Sequence, residues 1–313
     1  MARRTVVVTD QVFPDVDLER AALDEIDVDL VVADGTREGA LALAAEADGL
    51  LNTYLPLDGD FFASLERCQV VARYGIGVDN VDLDAARAAG VVVTNVPDYC
   101  LEEVALQAYA LMLALVRKIP ESSELVAQGE WGVGALRPIY RLSGLTIGLL
   151  GYGRIARHFA DLVRPTGATL ICHDPFVTDT GDATEAVVLE ELLARSNVLS
   201  LHAPLTPDTR GVINAEALSL LPDGACVVNT SRGPLVRMDD LVVELRSGRL
   251  RAGLDVFETE PPDQLVRDGI PGLIATPHTA YYSEESLQES QRKAVTQVIK
   301  VLSGKSPDYS VSG

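Results

Sequence analysis

The run Leu145-Thr-Ile-Gly-Leu-Leu-Gly151-Tyr-Gly153-Arg-Ile-Ala156-Arg157 lies in the middle of a 313-residue chain. Its apolar half predicts a buried strand, and the glycines then turn that strand into a helix. The next strand-like run, Ala168-Thr-Leu-Ile-Cys-His173, ends on Asp174. Strand, glycine turn, helix, second strand and terminal acid in this order form a dinucleotide-binding fingerprint. Gly151 permits the tight turn, Gly153 lets the backbone approach a pyrophosphate, and Ala156 is small enough for helix to pack on strand. The pyrophosphate is expected at the helix start, at Arg154 and Ile155, where unsatisfied N–H groups and the helix dipole favour an anion. Asp174 would accept hydrogen bonds from a ribose hydroxyl, which favours NAD over NADP. Because about 140 residues precede the fingerprint, another domain must come first.

Length and charge narrow the class. A chain of this size predicts two domains, each able to bury its own core. The net charge of −20, from 26 basic and 46 acidic residues, argues against nucleic acid or an anionic membrane surface as a partner. No apolar run approaches the ~18 residues of a membrane span. The start, Met-Ala-Arg-Arg-Thr-Val-Val-Val-Thr-Asp10, is too short in apolar residues for a signal peptide and reads as a first strand. Cys68, Cys100, Cys172 and Cys226 stand singly, so reduced core thiols in the cytoplasm are expected and no metal set is.

Strands and helices alternate from the N-terminus. Residues 5–9, 28–32, 49–52 and 68–73 read as strands, and residues 18–26 and 36–47 as helices, a doubly wound parallel pattern. An apolar helix over about 101–115 predicts burial at an interface. Residues 128–144, rich in Gly, Trp and Pro, read as an irregular arm. The last helix, about 284–302, follows the second domain's strands and is expected to fold back on the first domain. The boundaries that follow are 1–98 plus 286–313 for a substrate domain and 99–285 for a nucleotide domain, with a cleft between the lobes.

Candidate chemistry clusters where strands end. Arg73-Tyr-Gly75-Ile76-Gly77-Val-Asp79-Asn80 follows a strand and offers backbone N–H groups to a small anion such as a carboxylate. Further along, Cys226-Val-Val-Asn-Thr-Ser-Arg232 is a strand ending on an arginine. Leu254-Asp255-Val-Phe-Glu-Thr-Glu260 is a strand ending on a carboxylate, and Leu273-Ile-Ala-Thr-Pro-His278 a strand ending on a histidine. Each could serve structure alone, but Arg, Glu and His on three successive rims of one nucleotide domain form a site. Reduction of a 2-keto acid puts negative charge on the carbonyl oxygen. His278 would supply the proton, Glu260 would orient it and favour its charged form, and Arg232 would grip the substrate carboxylate with its planar fork.

With these segments and His202-Ala-Pro-Leu-Thr-Pro-Asp-Thr-Arg210 in place, the chain resembles the D-isomer-specific 2-hydroxyacid dehydrogenases over nearly its whole length. The resemblance implies two doubly wound parallel-sheet α/β domains, a flavodoxin-like substrate domain and a Rossmann NAD-binding domain. It implies NAD as cofactor, with contacts at Gly151, Gly153, Arg154, Ile155, Asp174, His202, Ala203, Pro204, Thr209 and Thr230, and Asp255 on the nicotinamide carboxamide. Arg232, Glu260 and His278 fall on the family's catalytic set, and the loop at Gly75, Ile76 and Gly77, with Arg73, on its substrate-carboxylate site. A homodimer through the nucleotide domain and its arm is also implied. Within the family, Asn95–Glu103 and His278–Ser283 look most like the C-terminal-binding-protein branch, which adds an NAD(H)-gated binding role as the alternative. Tyr281 replaces that branch's pocket tryptophan, so its preference for bulky apolar acids does not transfer, and Tyr281 remains an aromatic wall with a hydroxyl. No basic cluster for a substrate phosphate appears in Asn52–Pro56, and phosphite oxidation by a similar Arg, Glu and His set stays open.

Overall fold

The computed structural model describes residues 3–177, 179–181, 184–267 and 269–311. It divides into two compact units, Met1–Tyr99 with Tyr282–Gly313 (unit 1) and Cys100–Tyr281 (unit 2).

Unit 1 opens with β1 (Arg4–Val8), α1 (Asp17–Asp24), β2 (Val28–Val32), α2 (Arg37–Ala44) and β3 (Gly49–Asn52). It continues through α3 (Gly59–Ala63), β4 (Val70–Arg73), α4 (Leu83–Ala88) and β5 (Val92–Thr94). The five strands lie in the order β2-β1-β3-β4-β5, all parallel. Strands in such sheets are covered on both faces and read as continuous apolar runs. Val6, Val7 and Val8 of β1, each fully buried, are an instance. Helix starts are written locally: Thr36, Asp58 and Asp82 accept hydrogen bonds from the N–H groups of Gly39, Phe61 and Ala85.

Unit 2 begins with α5 (Leu101–Val116) and α6 (Ile119–Ala127). The stretch that follows is irregular apart from short 3₁₀ turns at Gly134–Leu136 and Leu142–Gly144. Then come β6 (Thr146–Leu150), α7 (Arg154–Val163), β7 (Thr169–His173), β8 (Thr184–Ala186), α8 (Leu189–Arg195) and β9 (Val198–Leu201). The unit closes with α9 (Ala215–Leu220), β10 (Cys226–Asn229), α10 (Met238–Arg246), β11 (Arg251–Leu254), α11 (Gln264–Arg267) and β12 (Leu273–Ala275). Its seven parallel strands run β12-β11-β10-β9-β6-β7-β8. Two apolar clusters pack within it, one around Leu199, Val227 and Leu241, the other around Met112, Leu149 and Phe159. The chain then returns to unit 1 as α12 (Glu284–Leu302), which packs on α1, β3 and β4. Its first turn is closed by reciprocal bonds between Ser283 and Ser286.

The architecture is the expected pair of parallel α/β sheets. One local reading changes: Glu260 does not end a strand. The acid at the end of β11 is Asp255, and Glu260 lies five residues further, in a loop that bends back because the Phe257 N–H donates to its Oε1 at 3.0 Å. No described helix is long and apolar enough to cross a membrane. No described group of three or more His, Cys, Asp or Glu could hold a metal ion.

Candidate active site

The neighbouring strands β10, β11 and β12 end side by side, and their exit loops carry Arg232, Asp255 with Glu260, and His278. His278 Nδ1 lies 2.6 Å from Glu260 Oε2. A carboxylate only accepts, so Nδ1 carries the proton in this bond. Both side chains are partly exposed, at 27% and 34%. Burial pushes the Glu260 carboxyl up. The His278 bond, the Phe257 N–H and the charges of His278 and Arg232 outweigh it and hold the pKa below the ordinary carboxylate value. An imidazole held at one nitrogen by a carboxylate has its other nitrogen fixed in direction, an arrangement suited to proton transfer.

His278 sits in the left-handed region, with φ of 54°, where a residue bearing a Cβ is strained. Asp255 holds it there. The fully buried Asp255 carboxylate accepts from the Thr276 hydroxyl (2.5 Å), the Thr279 N–H (3.1 Å) and the Ala280 N–H (2.8 Å). Its backbone carbonyl accepts from the His278 N–H at 2.8 Å. Asp255 therefore builds the histidine loop. The Tyr281 ring meets the imidazole edge-on, with centroids 6.1 Å apart.

Asn229, which the sequence reading places in the Arg232 segment without a role, shapes the Arg232 loop. Its side chain donates to the Arg232 carbonyl at 2.9 Å and accepts from the Ser231 N–H at 3.0 Å, while the Ser231 hydroxyl ties the loop to the Leu201 carbonyl. An Asn two residues before a loop polar residue is an Asx-turn signal that was legible in Asn229-Thr-Ser-Arg232.

At the ends of β6, β7 and β9 the fingerprint residues meet. Gly151 has φ of +88°, and a Cβ on it would lie 2.8 Å from the Ala203 nitrogen and the His202 carbonyl. Only glycine fits. A Cβ on Gly153 would meet nothing within 4 Å, so the α7 entrance is open. No side chain caps this helix start, where exposed Arg154 and half-buried Ile155 stand. Asp174 accepts from the N–H groups of Tyr152 (2.8 Å) and Phe176 (2.9 Å), which turns its carboxylate toward this entrance loop. The Thr209 hydroxyl closes the 204–209 turn on the Pro204 carbonyl at 2.7 Å, just beyond buried Ala203. Two buried polar atoms here, His202 Nδ1 and Thr230 Oγ1, lack a hydrogen-bond partner. Buried polar atoms are rarely left so, and these are donors and acceptors suited to a polar cofactor. The residues fit a dinucleotide.

His202 is also a stability switch. Its Nε2 pairs with the Ser200 hydroxyl at 2.9 Å, and desolvation pushes the imidazole pKa down to about 4. The unfolded chain, titrating near 6.5, then binds more protons than the native state between those values. The contribution is present above about pH 6.5 and is lost as pH falls toward 4. Urea unfolding should show native protein losing about 3 kcal/mol more than a His202→Asn variant between pH ~7 and ~4. Parallel curves would rule out this titration.

In unit 1, Arg73 is buried at the end of β4, with Nε donating to Asn80 Oδ1 at 3.1 Å. Asn80 in turn donates to Asn52 Oδ1 at 3.0 Å. The Gly75-Ile76-Gly77 loop that follows has its carbonyls tied down by the Val96 N–H (to Gly75) and the Asn95 amide (to Ile76).

Comparison with known proteins agrees with this geometry. Residues 109–280 match the D-isomer specific 2-hydroxyacid dehydrogenase, NAD binding domain. The hydroxypyruvate reductase of Thermotoga maritima is 32% identical over 307 residues, covering 96% of this chain and 99% of that enzyme. The D-3-phosphoglycerate dehydrogenase of Methanocaldococcus jannaschii is 34% identical over 90% of this chain, but the chain spans only 55% of that enzyme's length. The D-lactate dehydrogenase of Aquifex aeolicus, solved with NAD and lactic acid, superposes with a TM-score of 0.90 at 26% identity, covering 99% of both chains. By fold, by fingerprint and by full-length kinship, the chain belongs to the D-isomer specific 2-hydroxyacid dehydrogenase family and carries its NAD binding domain.

Proposed function

We propose that the protein is an NAD-dependent oxidoreductase that interconverts a small, unphosphorylated 2-keto acid and its 2-hydroxy acid. The observation that carries this reading is the 2.6 Å bond between His278 and an ionised Glu260 on the rim of the nucleotide unit. Bound NADH supplies the hydride. His278 Nε2 gives a proton to the carbonyl oxygen as charge builds there, and Glu260 stabilises the imidazolium before transfer. Arg232 takes the substrate carboxylate and polarises the carbonyl, and within unit 1 Arg73 and the amides of Gly75, Ile76 and Gly77 form a second set of donors suited to a carboxylate. Tyr281 walls the pocket, and Asp255 supports the histidine loop and the nicotinamide carboxamide.

The loop after β3 supports the unphosphorylated class. Asn52–Pro56 holds no cation, and its N–H groups at Thr53, Tyr54 and Leu55 are all spent on the Asp10 carboxylate, at 3.0, 2.6 and 3.1 Å. A phosphate would find a negative charge there, with the backbone donors of residues 53–55 already spent. Hydroxypyruvate, the substrate named for the full-length Thermotoga relative, fits this chemistry. The cytoplasm is the proposed compartment. A homodimer through the arm is proposed from Trp131, Val133 and Tyr140, which are 93%, 66% and 65% exposed. Placement near the C-terminal-binding-protein branch rests on Asn95–Glu103, His278–Ser283 and the tail motif Gly304-Lys-Ser-Pro-Asp308.

The test is NADH oxidation against glyoxylate, pyruvate, hydroxypyruvate, phenylpyruvate and phosphohydroxypyruvate, with phosphite plus NAD⁺ in reverse. Turnover of an unphosphorylated acid is expected. Preference for the phosphorylated one would overturn the substrate class, and tight NADH binding without turnover would point to the sensing alternative. Asp174→Ala should weaken NADH about tenfold and narrow the margin over NADPH, through loss of a charge-assisted ribose contact. Unchanged cofactor preference would refute the ribose role.

A further inference from the structure

A buried acid in unit 1 reaches the proposed anion loop. Glu19 of α1 is an acidic residue, yet it is fully buried. Its Oε1 accepts from the Tyr74 hydroxyl at 2.8 Å and its Oε2 from the Gln291 amide at 3.0 Å. The Gln291 amide also donates to the Asp15 carbonyl. Tyr74 is itself buried, lies between Arg73 and Gly75, and stacks edge-on against Phe13 with ring centroids 4.7 Å apart. From α12, the Ser290 hydroxyl donates to the Tyr74 carbonyl. The Tyr74 N–H donates to the Asn52 carbonyl at 2.9 Å. Phenol, carbonyl and amide of one residue are therefore held from three elements.

This is a costly way to fill a core. Burial raises both the Glu19 carboxyl and the Tyr74 phenol above their ordinary values. A leucine facing a phenylalanine would fill similar space without desolvating a charge, and such replacements are often neutral or stabilising. What the polar network adds is direction: a hydrogen-bonded phenol has one position, whereas a greasy ring has several. Its position matters for the next residue, because a Cβ on Gly75 would lie 1.9 Å from Arg73 Nη1. The guanidinium thus lies against the bare Gly75 backbone, so a shift at Tyr74 would move Arg73 and the Gly75–Gly77 amides together.

We infer that Glu19, through the Tyr74 hydroxyl, is a positioning residue that sets the Gly75–Gly77 loop for a carboxylate ligand, with Ser290 holding the same residue by its carbonyl. The inference rests on the proposed reading that this loop takes the substrate carboxylate. Tyr74→Phe keeps the ring and removes the tie. KM for the keto acid should rise about tenfold, as expected for the loss of a buried hydrogen bond. The same variant should keep kcat within about twofold, and its NADH affinity should be unchanged. Ser290→Ala should raise KM a few-fold and carries the test if Tyr74→Phe does not fold. Glu19→Gln, which retains an acceptor for the Tyr74 hydroxyl, should keep KM close to that of the parent protein. A fall in thermal stability with KM unchanged in both variants would overturn the inference. Gly75→Ala separates the two readings. If Gly75→Ala leaves KM unmoved, the loop does not bind substrate. If it raises KM while Tyr74→Phe and Ser290→Ala do not, only the positioning role fails.

Discussion

If the proposed function holds, His278→Ala should cut keto-acid turnover by about 10²–10⁴-fold, while NADH should bind as to the parent protein. The size follows from what the imidazole does. Its Nδ1–H is committed to Glu260 at 2.6 Å, so in the proposed reaction Nε2 would be the nitrogen that meets a substrate oxygen. Without it, water must protonate a developing alkoxide. Cofactor affinity is spared because the fingerprint at Gly151, Gly153 and Asp174 lies on β6 and β7, across the sheet from β12. The Glu260 pair sets the acid range over which the dyad persists. Its pKa is depressed, so its contribution is fully present above the ordinary carboxylate range and is lost only as pH falls through the lower native value. Stopped-flow NADH oxidation with a parallel fluorescence titration checks both halves. A variant that turns over but binds NADH weakly would reassign His278 to the cofactor.

The legible parts of this molecule are those whose signal is local. Gly49–Asn52 and Val28–Val32 form strands over the residues read as strands, because short apolar runs bounded by turn residues carry their own boundaries. The fingerprint is equally local: Gly151, Gly153, Ala156 and Asp174 are spaced by one βαβ turn. Elements without such punctuation were invisible. The edge strand Thr184–Ala186 has two of its three residues exposed, and α6 (Ile119–Ala127) buries none of its own, so neither shows a core periodicity.

The chemistry-bearing residues were readable as types at strand ends, but their support was not. Asp255 meets Thr276, Thr279 and Ala280 across more than twenty residues, and Tyr74 meets Glu19 and Ser290 across 55 and 216. Hydrogen bonds of that range follow from sheet order and loop path, which local sequence pattern does not reveal. The misplacement of Glu260 at a strand end has the same origin. Asp255 is the local terminus, and only the return of the loop onto His278 brings Glu260 to the chemistry.

Gly233→Ala should cost about as much activity as removing a polar contact from the site, although residue 233 offers no chemistry. Gly233 follows Arg232, and its φ is outside the left-handed region, so alanine is tolerated by its own backbone. The obstacle is external. A Cβ there would lie 2.0 Å from the Phe257 carbonyl carbon, 2.1 Å from its oxygen and 2.4 Å from the Glu258 nitrogen. Backbone cannot swing aside as a side chain does, so one loop must retreat by more than about 1 Å to reach ordinary contact. One of these loops carries Arg232, and the other carries Glu260 through the Phe257 N–H. Either retreat separates the guanidinium from the dyad, and a misplacement of that size costs about 10²-fold in rate. The expected signature is kcat/KM down by about two orders of magnitude, with NADH affinity retained and a lowered thermal midpoint. A crystal structure of the variant would show which loop moved. Full activity in Gly233→Ala would mean that the Arg232 and Glu260 loops need not touch, and the joint rim on which the proposed chemistry depends would have to be abandoned.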